Sequence, residues 1–180
     1  MNWKFNTRDQ NLTAGSTIQL DYKFNVTDQA GPFRIEFPGP GTDTTFQVGQ
    51  YVEVVWDVAN TNEAPVFAKT VDIMISKNSR NDFPDTLATA TPNDGREFVM
   101  MPYTAAKSRI KIKAHENIFL DISRPQLPIV EPDSAGYSFD LYPHDILVCP
   151  ENNGKFIVKS LTWKGYDKPI HLVAIDGMPA

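Results

Sequence analysis

The chain has 180 residues, a formal charge of −5 at pH 7, 41% hydrophobic residues and a single cysteine. That apolar fraction excludes a fully disordered chain, and one cysteine excludes an internal disulfide. Mild acidity argues against broad affinity for nucleic acid, which needs a basic surface, and no apolar run reaches the roughly 18 residues that span a bilayer.

The N-terminal residues Met1–Asp9 lack the apolar core of a secretory signal. The chain therefore reads either as cytoplasmic or as a segment of a longer exported protein. Short alternating stretches then dominate. Thr17–Val26 alternates strictly and puts Ile18, Leu20, Tyr22, Phe24 and Val26 on one face, the pattern of a half-buried strand. Phe33, Ile35 and Phe37 repeat it, as do Val52, Val54, Trp56 and Val58. Val71, Ile73 and Ile75 form a further set. Arg109–Ala114 is apolar on one face and cationic on the other, the usual aspect of an exposed face that discourages edge pairing. Ile118, Leu120 and Ile122 come next. Phe156, Ile157, Val158 and Leu161 predict a strand, and Ile170, Leu172 and Ala174 another. Helical periodicity is scarce. Gly39-Pro40-Gly41, Pro92-Asn93-Asp94-Gly95, Asn152-Asn153-Gly154 and Asp176-Gly177 supply turns. The fold class is all-β, an Ig-like or fibronectin-like β-sandwich with partial β-domains at both ends. Its core centres on Trp56, Ile73, Ile110, Ile112 and Phe119.

Two joints divide the chain. Asp28–Pro32 holds a Gly-Pro pair that stops strand pairing, and Ser123–Pro132 holds three prolines, which stiffen a connection. Residues 1–30 then hold terminal strands of a preceding Ig- or PKD-like domain, 31–124 a complete sandwich, and 125–180 a partial one. Only the middle piece has the roughly 100 residues of an Ig-like domain.

That middle piece carries Gly31-Pro32-Phe33, Val54-Val55-Trp56-Asp57-Val58-Ala59-Asn60-Thr61-Asn62, Ala64-Pro65-Val66, Val71–Ser76, Thr91–Gly95 and Asn117–Ser123 in order. It resembles the Ig-like domain that lies after the reprolysin-like zinc metallopeptidase domain in large secreted proteins of Bacteroidota. The flanks are similar too, at Asn6–Gln10, Ala30–Phe33, Val148-Cys149-Pro150 and Gly165–Leu172. The resemblance implies a non-catalytic spacer or docking module, exported or surface-exposed by a type IX route, whose partners are neighbouring domains of the same polypeptide. The sequence departs from the family where Phe67 stands near the usual cysteine, and where Arg80 replaces the glycine of a tight turn.

Catalytic patterns are weak. A zinc helix needs His at i and i+4, and His115-Glu116-Asn117-Ile118-Phe119 lacks the second. His144, His171 and Cys149 lie in separate segments, and Cys149 reads as a small buried hydrophobe. No nucleophile elbow or phosphate-binding glycine loop occurs. The expectation is therefore no enzyme and no cofactor, with Asp9, Asp28 and Asp57 placed near joints where calcium binds in other proteins. An adhesion or carbohydrate-binding role would use Tyr103, Trp163 and Tyr166, with a glycan or surface protein as partner. A phage or filament β protein would instead exchange the strand at 17–26. Asn11-Leu12-Thr13 and Asn25-Val26-Thr27 fit the N-glycosylation sequon. Asp43-Thr44-Thr45, Asp85-Thr86-Leu87 and Asp133-Ser134-Ala135, all in predicted turns, resemble the O-glycosylation signal of exported Bacteroidota proteins.

Overall fold

The computed structural model describes residues 2–8, 15, 17–77, 82–103, 107–142 and 153–173. His144, Cys149, Asp9, the sequon at Asn11, the turn at Asp176 and part of the turn at Asn152 lie outside these residues. The described chain is all-β, with no helix. In chain order β1 (Asn2–Arg8) and β2 (Thr17–Lys23) form a hairpin. Then come β3 (Arg34–Phe37), β4 (Phe46–Gln47), β5 (Tyr51–Asp57), β6 (Thr70–Ile75), β7 (Asp85–Pro92), β8 (Arg96–Met100), β9 (Ile110–Ala114), β10 (Leu120–Ile122) and β11 (Ile129–Val130). A second hairpin, β12 (Gly136–Tyr142) and β13 (Ile157–Trp163), closes the series.

Alternation along β5 and β6 builds the core. One sheet has the order β3-β5-β8 and the other β10-β9-β6-β7. Val52, Val54, Trp56 and Val99 from the first meet Val71, Ile73, Ile75, Ile110 and Ile112 from the second in one buried cluster. Phe119 is half-buried and packs its ring 5.1 Å from that of Phe33. Inward side chains on strictly alternating strands are what two packed sheets require.

Register sets where the chain enters and leaves. Arg34 at the start of β3 pairs with Asp57 at the end of β5, and the Gly31 amide donates to Ala59 O at 2.7 Å. Entry is therefore at the Asp57 end, the entry pole. β4 and β11 pair in parallel, and Gly49, just beyond β4, donates to Met101 O at 2.8 Å beside the first residue of β5. Exit is therefore at the Tyr51 end, the exit pole.

Several sequence expectations need correction. Phe33 and Ile35 point inward, but a bulge between Ile35 and Phe37 puts Phe37 opposite Val55 and leaves it exposed. Ile118 and Leu120 are exposed, because Ile118 lies in the turn before β10 and Leu120 on its outer face. Asp85-Thr86-Leu87 begins β7 and is no turn. The cationic row of β9 is not on an edge, since β9 lies between β6 and β10. Residues 168–173 form no strand, so the strand predicted at Ile170, Leu172 and Ala174 is absent from its described part; Ala174 lies outside the described residues. The chain also passes the expected boundary at 124/125 without leaving the core: Leu127 is 1% exposed and Ile129 8%.

Carboxylates occupy amides on the free sides of edge strands. Asp121 Oδ2 accepts from the Ile35 amide of β3 at 2.8 Å, and Glu97 Oε1 accepts from the Phe98 amide of β8 at 2.9 Å. Covered edges pair poorly with other chains.

Candidate functional site

The exit pole gathers two of the three aromatic residues singled out in the sequence. Gly49 takes a positive φ of 79°, so the chain turns there without a side chain. The ring of Trp163 fills the space beside it and beside Gly136, where an added Cβ would stand 2.7 Å from the ring. Trp163 Nε1 donates to Ser134 O at 3.0 Å. Trp163 is thus half-buried as packing between the β12–β13 hairpin and the sandwich. Tyr166 stacks on Tyr137 at 5.0 Å between centroids, tilted by 49°, so the pair forms no flat platform. Tyr103 is exposed, and among the described residues it makes no ring contact with them.

Tyr51 locks the same hairpin. Its hydroxyl reaches Phe139 O at 2.7 Å and Asp140 Oδ1 at 3.0 Å. Burial, then the Asp140 hydrogen bond and charge, push the phenol up to about 12. Both effects disfavour phenolate, since an anion would face an anion in a partly desolvated position.

Two polar clusters escape sequence reasoning. The first is at the entry pole. Asn93, 3% exposed, accepts from Trp56 Nε1 at 2.9 Å and donates to Thr61 Oγ1 and Ala68 O at 3.0 and 2.9 Å. In sequence Asn93 reads only as part of a turn, and nothing local signals that it serves Trp56.

The second cluster lies on the outer face of the four-stranded sheet. Asp72 is 6% exposed and accepts from the Ala90 amide at 2.9 Å, from His115 Nδ1 at 2.7 Å and from Lys113 Nζ at 3.2 Å. Ala90 has φ 51°, and the β6–β7 register shifts between Val71 and Ile73, so the carboxylate replaces a ladder bond that the bulge removes. Burial pushes the Asp72 carboxyl up, but the Ala90 amide, His115 and Lys113 outweigh it and hold it below its usual value of 3.8. The rest of the cationic row is also engaged in part: Lys111 sits over the Phe83 ring at 4.5 Å. His115 thus orients a carboxylate, while His171 is exposed.

Asp28 and Asp57 are exposed, and Asp57 Oδ1 accepts from the Ala59 amide at 2.8 Å. Among the described residues no group of three His, Cys, Asp or Glu is arranged to hold a metal ion, and no helix is long and apolar enough to cross a membrane. A cleft of about 410 Å³ between β3 and β10 is lined by Arg34, Glu36, Asp57, Asp121 and Arg124 among others. Its charges have both signs, and Asp57 and Asp121 are already bonded to backbone amides. Comparison with protein families and with curated proteins yields no match.

Proposed function

We propose that this chain is a non-catalytic Ig-like spacer of a secreted or surface multidomain protein, resembling the modules that lie after reprolysin-like metallopeptidase domains. The observation that carries this reading is the path of the chain, in at one pole and out at the opposite one. The three- and four-stranded sheets hold seven strands, the number of the smaller Ig-like sandwiches. A module with that path sets a fixed separation between the segments on its two sides. The covered amides of β3 and β8 favour a spacer over a protein that assembles by strand exchange. Neighbouring domains of one polypeptide are the partners this reading implies, and no cofactor is needed.

The test is a distance measurement on the full chain. Fluorophores are placed through Asp28→Cys and Asp133→Cys in a Cys149→Ser background. A spacer gives one narrow transfer-efficiency peak that glycans and peptides do not move. A broad distribution, a ligand-dependent shift, or hydrolysis of peptide or ester substrates by the purified chain would overturn the reading.

A further inference from the structure

The connection between β12 and β13 carries Asn153-Gly154, and no other asparagine of the chain precedes a glycine. Both residues are exposed and lie outside the strands, whose pairing ends at Tyr142 and Ile157. Among the described residues no hydrogen bond holds either one. Two other asparagines set the contrast. Asn93 is 3% exposed, and its side-chain nitrogen donates to Thr61 Oγ1 and Ala68 O. Asn25 is exposed and outside the strands, as Asn153 is, but Val26 follows it, and a branched Cβ crowds the next amide.

A peptide nitrogen is a weak nucleophile, because resonance commits its lone pair to the carbonyl. Attack within the chain offsets that weakness when the two atoms meet without strain. The Gly154 nitrogen follows Asn153 directly, so its attack on Asn153 Cγ closes a five-membered ring. Closure needs a backbone free to rotate and an approach that no Cβ blocks, and a glycine outside the ladder meets both needs. Asp94-Gly95 is the opposite case. Gly95 is held at φ 102°, Asp94 Oδ1 accepts from the Arg96 amide at 3.3 Å, and Gly95 O accepts from the Trp56 amide at 2.9 Å. That step is fixed in the turn between β7 and β8.

We infer that Asn153 is a site of spontaneous covalent modification, with water as the reactant. The Gly154 nitrogen bonds to Asn153 Cγ and the Cγ–Nδ2 bond breaks. The proton of the Gly154 nitrogen leaves with the side-chain nitrogen as ammonia. Water then opens the cyclic imide at one of its two carbonyls. Opening at Cγ gives aspartate, and opening at the main-chain carbonyl gives isoaspartate, with an added backbone methylene. Nothing is oxidised or reduced. Either product is ionised at neutral pH, so one more negative charge takes the chain from −5 to −6. The strands keep their pairing, because the step lies outside the ladder. This inference is independent of the spacer role and of the distance measurement that tests it.

Incubation of the folded full chain at neutral and alkaline pH tests it, read by peptide mass spectrometry and by enzymatic methyl labelling of isoaspartate. The expected result is replacement of the Asn153 side-chain amide by a carboxylate, with the isoaspartyl label at the same position. Conversion is faster at higher pH, because the attacking nitrogen must lose its proton. Asn25 and Asn93 in the same samples stay unchanged. The folded chain converts at the rate of a synthetic peptide of residues 151–156, since the fold does not restrain the step. Gly154→Val, shown by unchanged thermal melting to fold, loses the conversion. An Asn153 that stays intact in the folded chain while the peptide converts overturns the proposal. So does conversion of Gly154→Val at the parent rate, or conversion of Asn25 alongside Asn153.

Discussion

At the scale of single residues, the fold depends on a few buried polar groups as much as on its aliphatic core. Asp72 is the clearest. Its carboxylate completes the β6–β7 ladder at a bulge and holds the side chains of Lys113 and His115 over the sheet. Because its folded pKa is lowered, the stability it contributes is present above the usual carboxylate value of 3.8 and is lost as pH falls through the lower folded value. Asp72→Asn should cost about 2 kcal/mol at neutral pH, the range for a hydrogen bond to a charged group. The gap between parent and variant should narrow in acid. Denaturant melts of both proteins across that range measure it, and a pH-independent gap would refute the assignment. The sequence reveals Trp56 as core because it keeps phase with Val52 and Val54. It conceals Asp72, because an acid on the outward phase of a strand looks solvated until the bulge and the 115 turn fold over it.

At the scale of elements, alternation makes some strands legible and hides others. β5, β6 and β9 keep strict period two with large apolar residues and are readable directly. β7 is built of Thr and Ala around a bulge at Ala90, so its period breaks and its apolar signal is faint. β8 buries only Val99 fully, and β12 turns Tyr137, Phe139 and Leu141 to the outside. The β12–β13 hairpin is held by Trp163 and by the Tyr51 hydroxyl. A phenol raised from 10.0 to about 12 stabilises the docked hairpin fully below pH 10, and that stability is lost as pH rises through about 12. Tyr51→Phe should speed amide exchange along β12 at neutral pH while leaving β6 and β9 unchanged. Exchange measured by mass spectrometry decides this, and equal acceleration in β6 would show that Tyr51 acts on the whole fold instead.

At the scale of the molecule, the sandwich extends past the joint that its prolines suggest. Three prolines in Ser123–Pro132 read as a linker, yet Leu127 and Ile129 fall between them and insert into the core, and Ser108 and Leu127 exchange backbone bonds at 2.9 and 2.7 Å. Proline marks extended backbone, and extended backbone serves an edge ribbon as well as a linker. A chain that stops at Arg124 should be about 4 kcal/mol less stable than one that stops at Glu131, from the loss of two buried aliphatic side chains. That is much of the stability of a small domain. Thermal melts of the two truncations measure it, and equal midpoints would restore the boundary at 124.

The parallel pairing of β4 with β11 bears on how the fold would respond to tension between its ends. Under such tension the chain before the sandwich would draw β3 and β4 toward the entry pole, and the chain after it would draw β11 toward the exit pole. Tension between the ends therefore slides β4 and β11 past each other along their length. Their hydrogen bonds, Phe46 N to Pro128 O and Val48 N to Val130 O, both at 2.9 Å, must then break together and not one after another. The shortest of the described strands thus hold the pair of bonds that tension between the ends would shear.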